Sequence, residues 1–111
     1  MQQTITPAIF NILVAIADGE LHGYAIMQEV DRLTGSTGSI GPTTLYRSIR
    51  QMLEMGLIVE VPRRPSDEQD ERRRAYRISA AGRKAARDEA ERLDQLVRVA
   101  RSKRGLKRRI A

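Results

Sequence analysis

The sequence has no cysteine and no tryptophan, and only one histidine, one phenylalanine and three tyrosines in 111 residues. Without cysteine there are no disulfide staples, thiolate metal sites or cysteine nucleophiles, and a reducing cytoplasm fits. The lone histidine, His22, removes His-based metal sites, and its place just ahead of a helical run points to local capping or packing rather than general-base chemistry. So few aromatics disfavour a stacking platform for single-stranded nucleic acid and leave duplex binding better supported. There is no run of about 18 apolar residues and no charged-then-apolar leader, so no membrane span or secretion signal is expected. Gly-rich phosphate motifs are missing too: GSTGSIG at 35–41 has neither the spacing nor a following Lys. Asp67, Glu68, Asp70 and Glu71 crowd together, but in a polar loop without the rigid scaffold that an acid–base pair or metal cage needs. No catalytic constellation emerges, so an enzyme is the least expected reading, and no metal or cofactor is expected.

What is present is positive charge. Lys and Arg number 20 against 14 Asp and Glu, a net charge of +6 and a pI near 10.5. That favours a polyanionic partner, with nucleic acid ahead of an anionic membrane surface. The length suits one modest core plus an appendage.

Three helices are expected in the first half. Thr6 and Pro7 form an N-cap and first-position pair, and Ile9, Leu13 and Ile16 recur at helical spacing until Asp18 and Gly19 break the pattern. After a short turn, Ile26, Val30 and Leu33 make a second stripe with Met27 beside it, closed by Thr34 and Gly35. The Gly- and Ser-rich segment 35–41 reads as a turn between helices. Gly41 and Pro42 then start a third helix in which Leu45, Ile49, Met52 and Leu53 form the apolar stripe. Thr43, Arg47, Arg50 and Gln51 project from its other side, a cation and amide face suited to base edges and phosphates. Taken alone, such a face is more often merely solvated; its neighbours have to decide.

Beyond Gly56 the period changes. Leu57 to Val61 is a short β-branched run ended by Pro62, and Ala75 to Ser79 offers a second strand with Tyr76 and Ile78 on one face. The polar loop 62–74 between them is expected to protrude and move, with Arg63 and Arg64 at one base and Arg72, Arg73 and Arg74 at the other. Cations on both stems can approach phosphates or a minor groove, while the acidic tip would be repelled. The order of elements is that of a winged helix-turn-helix: mainly α with a two-stranded β-wing.

Ser79 can cap a last helix from Ala80 to about Arg104, roughly 37 Å long. Ala86, Ala90, Leu93, Val97 and Ala100 are spaced as a heptad seam that Leu96 broadens. A long helix with an apolar seam points to homodimerisation; the alternative is that it folds back over its own first helix. Its alanines supply little area, so help from the first helix is expected. The sequence divides into a DNA-binding domain at 1–79, a dimerisation helix at 80–104 and a basic tail at 105–111.

Three blocks in order, LHGYAIMQEV, TTLYRSIRQMLEMGLI and RRRAYRISAAGRKA, resemble the PadR family of bacterial winged-helix transcriptional regulators over about residues 6 to 90. The single last helix is similar to that of the family's smaller members. The resemblance implies a homodimeric repressor that binds double-stranded DNA at a palindromic operator and is released by a small-molecule effector, often aromatic; its identity here is unknown. It implies that Thr43, Thr44, Tyr46, Arg47 and Arg50 carry the recognition helix, that Tyr24 contacts phosphate, and that the wing arginines contact the flanking groove. The sequence departs from the family in having Arg47 where Pro commonly follows LY, and in having no Trp on the last helix for a flat ligand to stack on. The alternative of another class is a protein-interaction module whose winged-helix surface and basic tail hold an acidic partner.

Overall fold

A computed structural model describes residues 5–36, 40–61 and 73–108. The chain runs α1 (Pro7–Ala15), β1 (Leu21–His22), α2 (Gly23–Thr34), α3 (Pro42–Glu54), β2 (Ile58–Glu60), β3 (Ala75–Ile78) and α4 (Ala80–Arg101). This is the expected winged-helix order with one addition, the short strand β1. It pairs antiparallel with β3, Leu21 opposite Tyr76 and His22 opposite Ala75, so the sheet has the order β1-β3-β2. Two residues are too few to show a period-2 pattern, which is why the strand is not legible in the sequence.

The helix starts follow the sequence. The Thr6 hydroxyl accepts from the Ile9 N–H at 3.1 Å, with Pro7 in the first turn. His22 is the N-cap residue of α2, but its side chain makes no cap bond; its role is backbone pairing in β1. The capping expectation for His22 therefore gives way to strand pairing.

Helices α1, α2 and α3 and the sheet share one apolar cluster. Ile9, Ile12, Leu13 and Ile16 of the α1 segment, Ile26 and Val30 of α2, Leu45, Ile49 and Met52 of α3, and Leu57, Ile58, Tyr76 and Ile78 around the wing are all buried in it. Two expected core residues are not. Leu33 is 42 % exposed in the last turn of α2, just before Gly35, at φ 69°, ends the helix. Leu53 is 37 % exposed; it lies at the margin of the α3 stripe, about a quarter-turn from its centre.

The end of α3 is tied to the start of α4. Gly56, at φ 73°, ends the helix in a Schellman motif, its N–H donating to the Leu53 carbonyl at 3.1 Å and the Leu57 N–H to the Met52 carbonyl at 2.9 Å. Ser79 then closes on the same turn. Its N–H donates to the Leu57 carbonyl at 3.0 Å, its hydroxyl donates to the Gly56 carbonyl at 2.6 Å, and that hydroxyl also accepts from the Gly82 N–H at 2.9 Å. Gly82 is buried against this turn, where an added Cβ would overlap the Leu57 carbonyl oxygen and lie 2.9 Å from Ile78 Cγ1.

Beyond that contact α4 packs beside α1 and then projects, giving the molecule a longest dimension of 56 Å. The helix ends at Arg101, earlier than the expected Arg104, with Ser102 as C-cap.

Gly82→Ala should lower stability by about 1–3 kcal/mol or more, read as a shift in the urea midpoint, because backbone cannot retreat as a side chain can. Gly19→Ala, where nothing lies within 4 Å of the added Cβ, should stay within about 0.5 kcal/mol of the parent.

Candidate nucleic-acid interface

Helix α3 has two unlike sides. Leu45, Ser48, Ile49 and Met52 are buried on one, and Thr43, Thr44, Arg47, Arg50 and Gln51 are exposed on the rest of the surface. At 100° per residue, Thr43, Arg47 and Arg50 fall within an arc of about 60° centred opposite the buried stripe. Burial of that stripe thus determines where the two guanidinium groups are presented. The N-cap is Gly41, which has no side chain to cap with, so the first-turn N–H groups beside Thr43 and Thr44 add a positive dipole end to this face.

Tyr46 differs from its neighbours. It is half-buried and packs against the core cluster, so much of its ring serves stability. Tyr24, by contrast, is 53 % exposed in the first turn of α2, where the helix N-terminus also suits an anion.

The wing is described in part. Arg63, Arg64 and Arg72, with the acidic tip 67–71 and the rest of the protruding loop, lie outside the described residues. Arg73 is exposed. Arg74 is half-buried and fastens the wing at two points: its carbonyl accepts from the Gly23 N–H at 3.1 Å, and its Nε lies 3.5 Å from Glu60 Oε1 on β2. Glu60 offsets the charge of Arg74 toward a phosphate, a modest effect for a pair this exposed. Arg77, which is not among the expected contact residues, is exposed on β3 between the buried Tyr76 and Ile78; the alternation of apolar and polar residues is the signal that could have found it.

Elsewhere on the surface, two carboxylates have a clear shift. Hydrogen bonds from the Arg32 guanidinium hold the Glu29 carboxyl below the usual range, and those from Arg92 do the same for Glu89. Each is a staple within a single helix, α2 or α4. Among the described residues no group of three or more His, Asp or Glu could hold a metal ion, and no helix is long and apolar enough to cross a membrane.

The heptad seam of α4 is divided between two surroundings. Ala86 is half-buried against the chain's own core cluster, as is Ala85 beside it. Ala90 is exposed, Leu93 and Ala100 are half-buried, and Leu96 and Val97 are 54 % and 49 % exposed. Val99, outside the expected seam, is also exposed at 44 %. The front of the helix therefore lies over α1, while the far half leaves an apolar strip uncovered by the described residues.

Comparison with known proteins agrees with this architecture. The profile of the Transcriptional regulator PadR-like family matches residues 12–88. A transcriptional regulator from Clostridium thermocellum superposes with a TM-score of 0.69 at 25% identity, covering 82% of this chain and 86% of that one. A PadR family transcription regulator from Clostridium difficile gives 0.69 at 15% identity, covering 85% of this chain and 94% of the other, a likeness of fold. RosR of H. salinarum gives 0.67 at 19% identity over 86% and 79% of the two chains, again a likeness of fold. An uncharacterized 37.1 kDa transposon protein of Streptomyces fradiae is 33% identical over 85 residues; the match takes in 77% of this chain and 22% of that protein, so the chain spans about a fifth of this curated relative. With the family profile covering well over half of the sequence on a winged-helix fold, this chain belongs to the PadR-like family of transcriptional regulators.

Proposed function

We propose that the protein is a sequence-specific DNA-binding repressor that acts as a homodimer on a palindromic operator in the cytoplasm. The observation that carries this reading is the two-sidedness of α3: its buried stripe holds the helix while Thr43, Arg47 and Arg50 stand opposite, exposed together. An Arg can donate two hydrogen bonds to guanine O6 and N7, the commonest base-specific contact in the major groove. Thr44 and Gln51 flank that face, Tyr24 and the first turn of α2 supply a phosphate contact, and Arg73, with Arg63, Arg64 and Arg72, serves the flanking groove. Dimerisation supplies the second recognition helix, about 34 Å from the first, as two successive major grooves require. Its basis is the uncovered strip of Leu93, Leu96, Val97 and Ala100, with Ala90 allowing close approach and α1 adding area.

Effector release belongs to the same reading and rests on the family resemblance. A shallow groove of about 470 Å³ between the end of α1 and α2, lined by Ala15, Leu21, Ala25, Gln28, Glu29 and Arg32, is the place we assign to a small ligand. A molecule there would press on α2, the helix that carries Tyr24.

Arg47→Ala should weaken binding to the upstream region of the protein's own gene by about 1–3 kcal/mol, and binding to scrambled duplex by less, in titrations at one salt concentration. Equal losses on both duplexes would make Arg47 a phosphate anchor. A parent protein with no preference between the two duplexes would favour the protein-interaction reading instead.

Val97→Asp, in the exposed half of the seam, should give a folded monomer in sedimentation and lose operator binding. Leu93→Asp should do the same; a dimer that survives both variants would put the interface elsewhere.

A further inference from the structure

The positive charge of the protein is unevenly placed. Arg101, Lys103, Arg104, Lys107, Arg108 and Arg109 fall in the eleven residues 101–111, which contain no Asp or Glu. The other 14 Lys and Arg are matched by 14 Asp and Glu, so residues 1–100 are formally neutral and the whole net charge of +6 sits from the last residue of α4 onward.

The change is abrupt along the helix. Lys84 pairs with Asp88 at 2.8 Å, Arg92 with Glu89 at 2.7 Å and Arg98 with Asp94 at 3.1 Å, each one turn apart. Asp94 is the last acidic residue in the sequence. Past it, Lys103, Arg104, Lys107 and Arg108 are all exposed and meet no carboxylate among the described residues. They do not extend the helical stripe either. Gly105, at φ 83°, turns the chain off the α4 axis, and the turn is closed by the Leu106 N–H donating to the Lys103 carbonyl at 3.3 Å and by Arg101 Nη1 donating to the Leu106 carbonyl at 3.5 Å. A helix C-terminus favours cations only within its last turn, a place already filled by Arg98 and Arg101. Neither ion pairing among the described residues nor the helix dipole accounts for the remaining cations.

We infer that segment 101–108 is a sequence-independent anchor for the phosphate backbone of duplex DNA, separate from the helix that reads bases. A reading head that is neutral overall has no net long-range attraction to a polyanion, and a cluster of cations that meets no carboxylate among the described residues supplies it through counterion release. The segment has no aromatic residue, so it offers no stacking platform for single strands. Its one larger apolar residue is Leu106, too little area to embed in a bilayer. The inference rests on the DNA-binding reading for its setting and adds a second contact of different chemistry.

The test uses the full 111-residue chain with Lys103→Gln, Arg104→Gln, Lys107→Gln and Arg108→Gln combined, against the parent. Affinity for the upstream fragment and for scrambled duplex is measured from 50 to 200 mM salt. The slope of log K against log salt should become shallower by about 0.9 for each phosphate that the variant no longer neutralises, and affinity for both duplexes should fall together at low salt. The ratio between the duplexes and the thermal midpoint should stay at parent values, and Lys103→Arg with Lys107→Arg should keep the parent slope. An unchanged slope in the Gln variant overturns the anchor, and overturns it in favour of lipid if binding to phosphatidylglycerol vesicles disappears at the same time. A parent that prefers its upstream fragment while the slope does not move leaves the repressor reading standing without the anchor; a parent that binds neither duplex ends both.

Discussion

The contact on which the arrangement depends is the approach of Gly82 to the Leu57 carbonyl. Only a residue without a Cβ lets α4 start this close to the turn that ends α3, and the Ser79 hydroxyl uses the proximity to bridge Gly56 and the Gly82 N–H. Three elements thereby meet at one point: the end of α3, the inner ends of the wing strands and the first turn of α4. Because the bonds run between backbone groups or through one short hydroxyl, little side-chain entropy is lost in making them. The junction fixes the far end of α3, and under the proposed function that matters because a helix that reads bases has to be held within a fraction of an ångström.

The second constraint is the division of α3 into a buried and an exposed side. Its stripe joins a cluster that also takes Ile12, Leu13 and Ile16 from the α1 segment and Tyr76 and Ile78 from β3, so helix rotation is coupled to the whole core. A roll that exposed Arg47 differently would pull Leu45 or Met52 out of that cluster. The same coupling explains why Tyr46 is partly committed to packing while Arg47, one residue on, is not. Arg74 ties the wing to α2 through its carbonyl and joins the two wing strands through its side chain to Glu60.

Charge is organised on a different scale from packing. Within α4, Lys84 with Asp88, Arg92 with Glu89 and Arg98 with Asp94 pair at one-turn spacing, which stabilises the helix modestly and offsets part of its charge. After Asp94 that balance stops. A reader of bases and a holder of phosphates need different things, rigid placement for the first and density of charge for the second. Under the proposed function the two requirements fall in separate segments: Arg47 and Arg50 on a helix fixed by its buried face, and Lys103 to Arg108 on an exposed turn.

Much of this is written in local sequence. Thr6 with Pro7, Gly41 with Pro42, Gly56 and Ser79 mark helix ends by the backbone conformations and cap bonds those residues favour, and the periods of 3.6 and 2 separate the helices from the wing. Rotation of α3 follows from its own pattern, because apolar residues at helical spacing leave only one side for polar ones. What local pattern could not supply was the extent of each buried surface and the partners of each chain segment. Leu33 carries the right spacing and Leu53 sits at the margin of its stripe, yet both are exposed, since burial depends on the surface that other elements supply. Strand β1 exists because β3 offers an edge to Leu21 and His22, and Ala86 is committed to this chain's core because α1 lies beneath it. Spacing along the chain thus determined the elements and their apolar faces, whereas the close backbone approach at Gly82, the third strand and the split of the α4 seam were decided by the tertiary structure, since each depends on a surface supplied by residues distant in sequence.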